Sequence, residues 1–90
     1  MRRHYLIEGR VQGVGFRQFT ADAARALKIA GWVKNLADGG VEAEAEADEN
    51  SLAAFEKLLG KGPGFGRVDS LKKAEVPAGA SLPLPFEIRR

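Results

Sequence analysis

The stretch Gly9-Arg10-Val11-Gln12-Gly13-Val14-Gly15-Phe16-Arg17 leaves this chain few ways to fold. Upstream of it, His4 to Val11 carries the aromatic and β-branched residues of a strand. Downstream, Phe16, Phe19, Ala23, Ala24 and Leu27 recur at three- and four-residue spacing, an apolar stripe that predicts a helix to about Lys28. Glycines interleaved with bulkier residues let the backbone take angles closed to other residues, so a strand must turn sharply into a helix here. With few side chains in the way, successive N–H groups can converge on an anion, and the free N–H groups of the helix start add to them. Arg17, about one turn into the helix, supplies a planar positive fork. The same spacing also suits a plain tight connection followed by a solvated Arg. It is neither of the better-known phosphate loops. No Lys-Ser or Lys-Thr follows the last glycine, and Gln18 stands where a dinucleotide fingerprint needs its third Gly.

A chain of 90 residues is expected to form one domain over 1–90, with room for one core and not two. It has no cysteine, which excludes disulfides, a thiolate nucleophile and a Cys-based metal site. The formal charge of +2 is a weak footprint for nucleic acid, since Arg2, Arg3, Arg89 and Arg90 at the termini supply much of the excess. No apolar run approaches membrane-spanning length and the N-terminus lacks a signal-peptide core, so a cytoplasmic protein that does not engage membranes is expected.

The remaining elements follow in order. Gly31 is expected to end the helix, and Gly31 to Leu36 reads as a second strand before the hairpin signal Asp38-Gly39-Gly40. In the third strand Val41, Ala43, Ala45 and Ala47 alternate with Glu42, Glu44, Glu46 and Asp48, predicting one packed face and one wet, acidic face. The small alanines suggest a helix lying close above. Asp48 or Asn50 caps a second helix with Leu52, Phe55, Leu58 and Leu59 on one side. A Gly-rich loop from Gly60 to Gly66 stops it, 67–76 makes a less regular strand, and Phe86-Glu87-Ile88 a short last one beyond the loop Pro77 to Pro85. The order β-α-β-β-α-β with a short extra C-terminal strand predicts an α+β, ferredoxin-like sandwich, two helices on one face of a mostly antiparallel sheet.

That fold gives the glycine stretch a companion. The first two strands of a βαβ crossover are parallel, so their carboxyl ends share a rim. The Gly loop and Arg17 leave one of those ends, and Asn35 sits near the other. Taken alone, Asn35 is equally a turn-forming residue beside Asp38-Gly39. Gly9-x-Val11-Gln12-Gly13-Val14-Gly15-Phe16-Arg17 followed by Gly31-Trp32-Val33-Lys34-Asn35-x-x-x-Gly39-x-Val41 resembles both sequence motifs of the acylphosphatases. The resemblance covers essentially the whole chain; the two motifs are highly specific, and the last third matches loosely. One departure is that the family usually has a Gly in an Ala-Glu-Gly setting after the third strand, where this chain has Ala47-Asp48. The resemblance implies hydrolysis of the carboxyl-phosphate bond of small acyl phosphates, without metal or cofactor. It also implies Arg17 and Asn35 as catalytic residues, and Gln12, Gly13, Val14, Gly15, Phe16 and Arg17 as the phosphate-binding loop.

The chemistry is compatible with these residues. The only histidine, His4, is expected far from the rim, so neither a Cys nor a His is available for a phospho-enzyme and direct attack by water is the simpler route. A carboxylate leaves readily, its conjugate acid having a pKa of about 4–5, near that of Asp and Glu. The protein needs only to hold the phosphoryl oxygens and aim one water. Other residues take structural readings: Trp32 and Phe19 as core or rim packing, Thr20 as a helix-surface hydroxyl, the Glu42-Glu44-Glu46 row as a solvated face rather than a metal site, Lys72-Lys73 as a surface pair. The Gly62 to Gly66 loop could border the pocket, with flexibility as its default reading. A nucleic-acid-binding module of this fold would need stacking aromatics on its central strands, where strand three offers Ala and Glu. A non-catalytic regulatory module would be expected to lack Arg17 or Asn35. A monomer acting on a small molecule, with no nucleic-acid partner, is the expectation.

Overall fold

The switch from strand to helix at residues 9–17 sets the architecture. A computed structural model describes residues 1–90, in the order β1 (Arg2–Arg10), α1 (Phe16–Ala26), β2 (Ala30–Asn35), β3 (Val41–Glu46), α2 (Glu49–Lys61), β4 (Arg67–Val76) and β5 (Glu87–Arg89). The sheet order is β4-β1-β3-β2-β5. Three neighbouring pairs are antiparallel, and β5 joins β2 in parallel at the sheet edge. Since β1 and β2 both run antiparallel to β3, their carboxyl ends share one rim, as the crossover rule requires. This is the α+β sandwich expected from the sequence, with the last strand now located. Neither helix is long and apolar enough to cross a membrane.

The core lies between the sheet and the helices. Tyr5, Ile7, Val33, Val41, Ala43 and Ala45 point from the sheet; Phe16, Ala21 and Ala24 from α1; Leu52, Phe55 and Leu59 from α2; all are fully or almost fully buried. Each large apolar side chain so buried contributes about 1.5–3 kcal/mol. Phe86 plugs the core from the chain's end, its ring centroid 5.9 Å from that of Phe55, and Arg25 holds its carbonyl with two hydrogen bonds. The alternation of β3 survives intact: Ala43 and Ala45 are buried beneath the helices, while Glu42, Glu44 and Glu46 face the other way.

Several local expectations give way to tertiary context. Gly31 does not stop α1, which ends at Ala26; it lies in β2, where a Cβ would sit 2.0 Å from Glu44 O and 2.7 Å from the Phe86 ring. Its lack of a side chain is what lets β3 and Phe86 close in. Leu58 is partly exposed rather than in the α2 stripe. Trp32 is not a core residue, because alternation gives the inward position to Val33; Trp32 lies on the open sheet face between Lys34 (5.6 Å) and Arg89 (5.0 Å). Thr20 is fully buried and donates to Phe16 O at 2.8 Å. At Asp48 the backbone is extended (φ −70°, ψ 165°), a conformation open to any residue, and the carboxylate accepts from Ser51 N at 2.7 Å. The turn into α2 therefore needs no glycine there.

The acidic row is paired rather than simply wet. Arg2 bonds Glu46 at 3.1 Å and lies 3.9 Å from Glu44; His4 meets Glu42 at 2.6 Å, with Lys34 at 3.5 Å. Lys72 and Lys73 point to opposite faces, Lys72 toward Glu8 and Lys73 onto Glu56. Glu56 also accepts from Arg3 and Tyr5 Oη, both at 2.8 Å, which joins α2 to the sheet. Burial pushes the Glu56 carboxyl up, but the hydrogen bonds from Lys73, Tyr5 and Arg3 outweigh it and hold it below the usual carboxylate range.

Candidate active site

The cradle begins where β1 ends. Val11 is buried and anchors the loop, and the chain then climbs through Gly13 (φ 75°) and Gly15 (φ 79°), both left-handed. A Cβ at either would meet nothing within 4 Å, so glycine is required there by backbone angle rather than by space. Gly15 is the N-cap of α1 and offers no capping side chain. The first helical hydrogen bond runs from Phe19 N to Gly15 O, 2.9 Å, and none of the N–H groups from Gly13 to Gln18 donates to a backbone acceptor. Uncapped donors at the positive end of a helix, behind alternating left-handed turns, form a concavity suited to an anion.

A cleft of about 270 Å³ opens in front of these groups, lined by Val11, Gly13, Gly15, Phe16, Arg17, Gln18, Asn35 and Ile88. Arg17 is the only charged side chain among them, and no carboxylate intrudes. Its Nη1 donates to Arg89 O at 3.0 Å, so β5 fixes one arm of the guanidinium while other donors stay available. Asn35 ends β2, paired across the ladder with Val41, and shares the inward face with Val33. Its Oδ1 is buried and meets no donor from the protein. A buried polar atom left without any partner costs about 1–3 kcal/mol, so beside a cleft this oxygen is open to a donor from a bound molecule.

Of the sequence-predicted residues, Gly13, Gly15, Phe16, Arg17 and Asn35 line the cleft, while Gln12 and Val14 do not. The Gln12 side chain is bound to the β2–β3 hairpin, donating to Leu36 O at 2.7 Å and Gly40 O at 2.8 Å. Val14 faces away too, packing against the core and toward Gly66, whose Cβ position lies 3.2 Å from Val14 Cγ2 and 3.0 Å from Arg10 O. The Gly62 to Gly66 loop therefore backs the cradle rather than bordering the cleft. A second hollow, about 670 Å³ and lined by Glu8, Gly9, Arg10, Arg67, Asp69 and Ser70, is larger but open; there Arg67 is already tied to Asp69 at 2.8 Å.

A family model described as Acylphosphatase matches residues 3–88. The chain belongs to the acylphosphatase family. An acylphosphatase of Nitratidesulfovibrio vulgaris is 47% identical over 89 residues, covering 98% of this chain and 89% of that one. One of Bifidobacterium longum is 37% identical, covering 100% of this chain and 93% of the relative. Among solved structures, the acylphosphatase from Bacillus subtilis superposes with a TM-score of 0.84 at 38% identity, over 99% of this chain and 98% of the other. An acylphosphatase from Coxiella burnetii gives 0.85 at 31% identity, over 98% and 90%.

For an acylphosphatase-family chain, the residues that sequence reasoning missed are Ile88 and Arg89. Ile88 lines the cleft and the Arg89 carbonyl holds Arg17 because β5 pairs with β2 in parallel, Val33 against Ile88 and Lys34 against Arg89. A three-residue terminal strand carries too little pattern to reveal its partner. No local signal could have linked Arg17 to a carbonyl so far along the chain.

Proposed function

We propose that the chain hydrolyses the carboxyl-phosphate bond of small acyl phosphates, releasing a carboxylate and inorganic phosphate. The loop amides of Gln12 to Arg17 and the Arg17 guanidinium hold the phosphoryl oxygens and spread their charge. The Asn35 amide orients one water for in-line attack, and the substrate's own phosphate takes its proton. The water's oxygen forms the new P–O bond as the carboxylate departs with the electron pair of the old one. The departing group is a weak base, so no general acid is required, and the charge stabilisation needs no metal. The observation that carries this reading is the meeting, in one carboxylate-free cleft, of unbonded N–H groups, Arg17 and the unpartnered Oδ1 of Asn35. Family membership supports the reaction class.

Benzoyl-phosphate hydrolysis in EDTA, with wild type, Arg17→Ala and Asn35→Ala, tests it. Metal-independent turnover, loss of phosphate inhibition in the first variant and near-complete loss of turnover in the second are expected. Abolition of wild-type turnover by EDTA would sink the metal-free route, and full activity in Asn35→Ala would sink the role given to that amide.

A further inference from the structure

Gln12 opens the cradle yet gives its side chain to a different part of the molecule. The two carbonyls it meets, Leu36 O and Gly40 O, can be satisfied only by the NH2 end of the amide, so its orientation is fixed by its partners. The same two carbonyls close the hairpin: Gly39 N donates to Leu36 O at 3.2 Å, and Leu36 N to Gly40 O at 2.8 Å. Leu36 directly follows Asn35. One side chain of the phosphate-holding loop is therefore bonded to the carbonyl of the residue that follows Asn35, to which the hydrolase reading gives the water.

We propose that Gln12 is a positioning residue that sets the spacing between the anion cradle and Asn35. The inference rests on the hydrolase reading above. In-line attack needs the water and phosphorus at near-contact distance, and a misplacement of about 1 Å can cost up to ~10²-fold in rate. The two partners ride on different segments, a loop leaving β1 and a hairpin leaving β2, and Gln12 joins them beyond the point where the sheet ladder ends. Both carbonyls keep their hairpin donors when Gln12 is removed, so the hairpin itself persists. What is lost is the tie between the two halves.

The test compares wild type, Gln12→Ala, Gln12→Glu, Asn35→Ala and the Gln12→Ala/Asn35→Ala double variant, measuring kcat, KM, the inhibition constant of inorganic phosphate and the thermal midpoint. Gln12→Ala is expected to lower kcat by about 10- to 100-fold, with phosphate inhibition changed by less than ~3-fold, because phosphate is held by backbone N–H groups and Arg17. In the Asn35→Ala background the same change should cost less than ~3-fold more, the non-additivity of two residues acting through one step. Gln12→Glu keeps the shape but loses both donors. Facing two carbonyl oxygens, its carboxylate is driven above its usual pKa of about 4.3, and protonation restores one donor, so its kcat relative to wild type should rise as pH falls toward 5. That pH recovery decides the matter even where Gln12→Ala folds poorly. Unchanged kcat, a joint rise of KM and phosphate inhibition constant at constant kcat, or multiplicative losses with Asn35→Ala would each overturn the inference while leaving the hydrolase reading in place. Absence of wild-type turnover would remove both.

Discussion

Replacing Asn35 with alanine should stabilise the protein while destroying its turnover. The stability change follows from one atom. Asn35 Oδ1 is buried without a donor from the protein, a state that costs a fold up to about 1–3 kcal/mol. Truncation removes that cost and gives up the packing of one small amide, which at about 0.8 kcal/mol per buried methylene-sized group is the lesser quantity. The backbone pairing of Asn35 with Val41 is untouched. The balance is a gain of about 1 kcal/mol, or a rise in Tm of about 4–8 °C for a chain of this size. Turnover should fall by about 10²–10³-fold or more, the scale of losing a group that acts in the transition state. Urea unfolding followed by far-UV circular dichroism, beside benzoyl-phosphate turnover, reads both. The midpoint should move up with the slope unchanged. A loss of about 1 kcal/mol or more would mean that the amide braces the hairpin, the turn-forming reading left open by the sequence, and the cost assigned to Oδ1 would be refuted.

Other perturbations probe the remaining groups. Arg17→Lys should behave more like Arg17→Ala than like wild type in phosphate inhibition, because an ammonium cannot both hold Arg89 O and present a planar fork to the phosphoryl oxygens; inhibition curves check this. Gly31→Ala should cost about 3 kcal/mol, the upper range for overpacking, since its Cβ would fall 2.0 Å from the backbone oxygen of Glu44; urea unfolding measures it. The depressed pKa of Glu56 makes its contribution fully present above the unfolded carboxyl value of about 4.3 and lost as pH falls through the folded value, so Glu56→Gln should flatten the acid limb of the stability profile.

The alternation of Val41 to Glu46, the stripes of α1 and α2 and the glycine punctuation are local patterns, and they determined the element order, the sandwich and the rim on which Arg17 and Asn35 meet. Local patterns could not say which residue a neighbouring element would crowd. Gly31 read as a helix stop because its true reason, the approach of Glu44 and Phe86, lies in other segments. Trp32 read as packing because alternation fixes opposite faces without saying which face receives the helices. The candidate site divides in the same way. Its donors follow from glycine at two backbone positions, a property of sequence. The cleft wall at Ile88, the carbonyl on Arg17, the orphaned Oδ1 of Asn35 and the grip of Gln12 on the hairpin are each a relation between residues far apart in the chain. Residue type and short-range spacing determined what groups this protein could offer an anion. Only strand pairing and the closing of the core decided which of them face the cleft, which are spent on holding it together, and how far apart they stand.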